Sequence, residues 1–134
     1  MERVLIAYDD SAPARRALER AARLMPHAEV TVVAVAQPVY RDPRMAQFAD
    51  PEEEERQAGA LAAAVEALAR SGVEVRTAGP VGDAADEIVR LAKEMRADVI
   101  VLGARGLNPL KRLVLGSVST RVLHHAPCDV LVVR

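Results

Sequence analysis

Aromatic residues are nearly absent from this chain of 134 residues: Tyr8, Tyr40 and Phe48 are all there are, and tryptophan is missing altogether. A surface that reads RNA or single strands by stacking bases on aromatic rings is therefore not expected. Cysteine occurs once, as Cys128, which excludes an intramolecular disulfide. Lysine is scarce as well, with Lys93 and Lys111 alone, so the basic residues are overwhelmingly arginine. Excess charge of either sign is lacking: 18 basic against 19 acidic residues leave −1, which predicts no nucleic-acid-binding field over the whole surface. No apolar run approaches the roughly 20 residues that cross a bilayer, and no signal peptide is expected ahead of the strand-like run Arg3 to Tyr8. These absences lead to the expectation of a cytoplasmic protein with neither a membrane nor a nucleic acid as partner.

What is present is ordinary globular composition, 51% hydrophobic and 28% charged, at a length that suits one domain. Short β-branched runs alternate with longer stretches of helical spacing, the pattern of βαβ units. Arg3 to Tyr8 reads as the first strand. Asp9-Asp10-Ser11 turns and caps, Pro13 sits in the first helical turn, and Ala14, Leu18, Ala21, Ala22 and Met25 form one apolar stripe before Pro26 ends the helix. Val30 to Ala36, almost uniformly apolar, reads as a strand covered on both faces. Residues 37–50 read as an extended connection. Asp50-Pro51 followed by four glutamates opens a second helix, with acids near the positive end of its dipole, and Gly72 closes it in a left-handed turn.

Val73 to Ala78 alternates, which places it toward an edge of the sheet. Gly79 to Asp83 turns the chain into a third helix with Ala85, Ile88, Val89 and Ala92 as its buried stripe. Asp98 to Gly103 is a doubly buried fourth strand and residues 104–115 a loop. Gly116-Ser117 opens a fourth helix that ends near His124 to Pro127, and Asp129 to Arg134 supplies a fifth strand. The expected fold is an open parallel sheet of about five strands with helices on both faces, Rossmann-like, with ligands bound beyond the carboxyl ends of the strands.

The chemistry gathers after the fourth strand, in Gly103-Ala-Arg105-Gly106 and Gly116-Ser117-Val118-Ser119. Glycines let backbone N–H groups turn inward as an anion nest, and a helix start with hydroxyls beside it suits phosphate oxygens, with Arg105, Lys111 and Arg112 near for charge. The two standard phosphate fingerprints, GxGxxG after the first strand and GxxxxGK[ST], are both missing, which argues against a dehydrogenase or a P-loop NTPase. The spacing G-x2-G-x9-G-S resembles the ATP-binding loop of the universal stress protein family. So do the opening Val4 to Ser11 and the closing His125 to Arg134, and the resemblance covers the whole chain, residues 1–134.

That resemblance implies a nucleotide-binding domain of the adenine nucleotide alpha hydrolase-like kind, in the ATP-binding branch. It implies an ATP site in which Asp9 meets the nucleoside or a phosphate-bound metal, with the backbone of Ala7 and Tyr8 nearby and Val35 beside adenine. Leu102, Gly103, Gly106, Gly116, Ser117, Val118 and Ser119 match the family's ribose and phosphate contacts, with Arg105 in the same loop. Magnesium or manganese would accompany the phosphates, and a homodimer would pair through its last strand. Tyr8 departs from the pattern, filling a position that is commonly smaller, and is expected to narrow the adenosine pocket.

Each signal has a plainer reading beside it. The glycines could simply turn the chain, and Asp9 could be a cap or turn acid in competition with Asp10 and Ser11. His124 and His125 read as cations at a helix end, Cys128 as a small packed residue, and no zinc spacing is found. The leading expectation is an ATP-binding regulatory or sensor protein in stress response, whose nucleotide state changes the 37–50 connection or a dimer surface. The alternatives are an ATP hydrolase of low turnover, since no obvious base for attacking water is placed, and a nucleotide-free dimeric interaction module.

Overall fold

The computed structural model describes residues 2–39, 48–104 and 115–134. Among the described residues five strands, β1 (Arg3–Ala7), β2 (Glu29–Val33), β3 (Val75–Ala78), β4 (Val99–Gly103) and β5 (Asp129–Val133), alternate with four helices, α1 (Ala12–Leu24), α2 (Pro51–Ala69), α3 (Ala84–Glu94) and α4 (Ser117–His125). The strands form one sheet in the order β3-β2-β1-β4-β5, every pair parallel. This is the expected doubly wound α/β fold. Chain order runs outward from β1 on one side and then crosses to its other side at β4, so the switch point lies between β1 and β4.

Two cores cover the two faces. Val4 and Ile6 of β1 point toward α1 and α2, where they meet Ala17, Leu18, Ala64 and Leu68. Leu5, between them, points the other way, toward Ile88 and Ala92 of α3 and Val122 of α4. The strict alternation along β1 divides the molecule into its layers.

Local chemistry sets the helix starts. Ser11, Asp50 and Asp83 cap α1, α2 and α3, each accepting from the N–H three residues on, of Ala14, Glu53 and Asp86 respectively. Gly72, at φ +73°, makes the left-handed turn after α2.

The sequence pattern overruns all five strands, by a single residue at β1 and β5, which end at Ala7 and Val133. β2 stops at Val33, although the apolar run continues to Ala36. Beyond Val33, Ala34 and Ala36 stay buried and bond to the segment after β3, Ala34 N–H donating to Ala78 O and Ala36 N–H to Pro80 O, so this composition reports burial more than strand. β3 begins at Val75 and β4 at Val99, each later than the pattern predicts. The expected loop 104–115 and the 37–50 connection fall largely outside the described residues.

Candidate functional site

A cavity of about 730 Å³ opens at the carboxyl ends of the central strands. Its walls come from the exits of β1, β2 and β4, the starts of α1, α3 and α4, and one face of α2. Of the twelve residues that the sequence reading singles out, ten line it: Ala7, Tyr8 and Asp9 after β1, Val35 after β2, Leu102 and Gly103 at the end of β4, and Gly116 to Ser119 at the start of α4. Arg105 and Gly106 lie outside the described residues, as do Lys111 and Arg112.

The β1–α1 turn is organised by its two acids and Tyr8. Asp9 Oδ1 accepts from Ser11 N–H at 3.0 Å, which fixes the turn and leaves the exposed carboxylate on the cavity wall. Asp10 adopts φ +63°, a strained conformation that Asp tolerates better than most residues. Its Oδ1 accepts from Tyr8 Oη at 2.9 Å and Arg15 Nε at 3.2 Å. The hydrogen bonds from Arg15 and Tyr8 hold its carboxyl below the usual range. Ser11, not either acid, is the helix cap. Tyr8 is 5% exposed and belongs to the core on the α1–α2 face, which takes up much of its bulk. Burial first, and Asp10 second, push its phenol up.

Gly103 serves packing. A Cβ there would stand 2.4 Å from the Pro13 carbonyl carbon and 2.8 Å from Ala14 N, so the missing side chain is what lets the first turn of α1 lie against the end of β4. Gly103 also lines the cavity, so the freedom that the sequence suggests for ligand approach serves here to bring the protein's own backbone close as well. Ser119 differs in a similar way. It is buried, and its hydroxyl lies 3.4 Å from Gly103 O, pointing back to β4.

α4 is the exception among the helices. Its cap is Gly116, which has no side chain to accept from the first-turn N–H groups, and this start faces the cavity with the exposed Ser117 beside it. Unpaired N–H groups and the positive end of the helix dipole favour a negatively charged oxygen there.

Several lining residues escaped the sequence reading. Glu53 and Arg56 reach the cavity from α2, and Gly82 and Ala84 from the start of α3. In the sequence Glu53 is one of four helix-start acids, and nothing local distinguishes it. Gln57, one turn on, donates from Nε2 to Ala34 O at 2.7 Å and Pro80 O at 2.9 Å, clipping the β2 and β3 exits together. A lone amide in an alanine-rich helix was the available signal. Cys128 is half-buried, as expected, and burial raises its thiol above the ordinary value. Among the described residues no group of three or more His, Cys, Asp or Glu could hold a metal by itself, and no helix is long and apolar enough to cross a membrane.

Known proteins share this architecture. A universal stress protein from Archaeoglobus fulgidus in complex with dAMP is 27% identical, with a TM-score of 0.76 over 100% of this chain and 98% of that one. A universal stress protein in complex with cAMP is 28% identical, with a TM-score of 0.76 over 99% of this chain and 97% of that one. A putative universal stress protein of Staphylococcus aureus is 56% identical over 45 residues, 34% of this chain, and the match spans only 27% of that relative's length. The universal stress protein family itself is matched along residues 1–134, and the chain belongs to that family.

Proposed function

We infer that the chain binds an adenine nucleotide, ATP in particular, in the cavity at the strand ends, and acts as a regulatory or sensor protein in stress response. The observation that carries this reading is the start of α4, capped by a glycine and opening onto a cavity of about 730 Å³. That volume falls within the range of small-molecule sites, roughly 300–1,000 Å³. The dAMP and cAMP complexes of the two relatives support the adenine class. In this reading the phosphates lie at Gly116 to Ser119, the ribose near Asp9 and the base near Val35.

A divalent ion fits the donor set. Magnesium usually keeps several waters and takes one or two carboxylates plus phosphate oxygens, and Asp9 offers such a carboxylate on the cavity wall. Bound magnesium or manganese would neutralise phosphate charge, while Asp9 orients it. Any hydrolysis is slow in this reading, because positioned phosphates without an assigned base give little rate. A homodimer through β5 belongs to the same proposal.

The test begins with freshly purified protein, denatured so that released nucleotide can be identified by chromatography. The stripped protein is then titrated calorimetrically with ATP and magnesium, and with dAMP and cAMP alongside. Released or tightly rebound ATP is the expected result. Preference for a monophosphate would move the site from ATP to another adenine nucleotide. Protein that is empty and ignores all three ligands would leave a nucleotide-free interaction module.

A further inference from the structure

On the β2 side of the cavity, the wall is built by two side chains of α2. Glu53 Oε2 accepts from Gln37 N–H at 2.8 Å, and Glu53 Oε1 accepts from Arg56 Nε. Arg56 Nη2 donates in turn to Val35 O at 2.9 Å. Ala36, between them, bonds the other way, to Pro80 and Gly82. Val35 O and the Gln37 N–H, which the β2 exit turns toward α2, are therefore held by this pair, as Ala34 O is by Gln57. A guanidinium carries five N–H donors, and Arg56 lines the cavity with its side chain 42% exposed, so donors remain on the cavity side.

Charge separates the two ends of the cavity. Glu53 in contact with Arg56 largely cancels its charge as a ligand meets it, so this wall favours a neutral hydrogen-bonding group over an anion. The start of α4 favours the anion. β2 and β4 flank β1, and two strand spacings of about 4.8 Å separate their exits by about 10 Å. That is the scale on which a base is separated from the phosphate carried by its own ribose. Arg56 first, and the Gln37 N–H as well, hold the Glu53 carboxyl below its usual range against the effect of burial, so Glu53 meets Arg56 as a carboxylate.

Resting on the nucleotide reading above, we propose that Arg56 is the specificity-determining residue for the base. Its guanidinium, held in plane by Glu53 and Val35 O, donates a hydrogen bond to a ring nitrogen of the bound adenine. Glu53 is the positioning residue of the pair.

The experiment compares adenosine with 1-deaza-, 3-deaza- and 7-deazaadenosine on the parent protein and on Arg56→Met, by calorimetry, as a mutant cycle in which protein and ligand are each altered at one point. Arg56→Met is expected to weaken adenosine binding roughly tenfold, as loss of a charged hydrogen bond does. One deaza analogue should bind the parent about as much more weakly and lose nothing further on Arg56→Met. A purely structural role would weaken all four ligands alike, and that result overturns the proposal, as does unchanged adenosine affinity. Arg56→Lys keeps the stem and charge but not the fork, so it should show the same pattern if Arg56→Met folds poorly. Calorimetry of AMP on the parent separates the two failures. If AMP binds while the cycle shows no coupling, only the assignment of Arg56 falls. If no adenine ligand binds the parent, the nucleotide reading falls and this assignment with it.

Discussion

Glycine has opposite meanings at two positions, and the same substitution separates them. At Gly103 a methyl group would enter the backbone of Pro13 and Ala14, which belongs to a packed helix and cannot turn aside. Gly103→Ala should therefore destabilise by about 1–3 kcal/mol, the usual result of forcing atoms into a filled core. Gly59 stands in the middle of α2 with nothing within 4 Å of the position a Cβ would take. Gly59→Ala should stabilise by about 0.5–1 kcal/mol, because alanine loses less backbone entropy in a helix. Paired urea melts of the two variants check both signs. Gly116 carries a third meaning. It caps α4 with φ −71°, a conformation open to any residue, so Gly116→Val should leave the fold largely intact while its side chain obstructs the phosphate end of the cavity. Thermal melts beside nucleotide titrations test this, and a variant that binds as tightly as the parent would remove the phosphates from the start of α4.

Between elements, an ionic tie joins α4 to α3 in addition to the buried packing of Val122 with Ile88 and Ala92. Arg121 donates to both carboxylate oxygens of Asp83, at 3.0 and 2.8 Å, and to Asp86 at 2.8 Å. Asp83 also caps α3, and the Asp86 N–H first, then Arg121, hold its carboxyl below the usual range. A carboxyl whose pKa is depressed on folding binds its proton more readily in the unfolded chain. Its contribution is therefore complete above the unfolded value and is lost as pH falls through the folded one. Arg121→Gln should make stability fall less steeply in acid and cost little at neutral pH, since both side chains are exposed. Some acid slope should remain, because Asp10 and Glu53 are depressed in the same direction. Melting temperatures followed from neutral pH down through the carboxylate range test it. A slope identical in the variant would show that the cap alone shifts Asp83. None of this tie was legible in the sequence: Arg121 and Asp83 are 38 residues apart, and Arg121 looks like an ordinary helix-surface charge while Asp83 looks like part of a turn. The caps were partly legible, because capping acts on N–H groups only three residues away. Asp50 announces itself, Ser11 shares its claim with Asp9 and Asp10, and Asp83 looks like part of a turn.

For the molecule as a whole, the alternation of runs was enough to give the layers, since periodicity reports which faces are covered. It could not give the neighbours of Gly103 or the reach of Glu53 and Arg56, because those depend on which strand ends meet. The two edges of the sheet show the same division. β3 exposes Arg76 and Thr77, charge and polarity of the kind that discourages pairing with another chain. β5 carries Val130, Leu131, Val132 and Val133, all half-buried, and pairs only with β4 in the described sheet. Leu131 and Val133 lie toward one core, Val130 and Val132 toward the other, so both faces of this edge are aliphatic. This aliphatic run, with charge only at its two ends in Asp129 and Arg134, is the surface on which the proposed homodimer would pair. Trimming Val132 to Arg134 should weaken it by removing ladder groups, but it also removes the register partners of Leu102 and Gly103 within the chain. Leu131→Lys is the sharper variant, placing on this edge the charge that β3 already carries. Sedimentation should then show the parent as a dimer and the variant shifted toward monomer, with the parent's affinity for nucleotide retained because Leu131 is not part of the cavity lining. A variant that keeps the parent's dimeric mass would move the interface away from β5, and a parent that sediments as a monomer would remove the dimer from the proposed function.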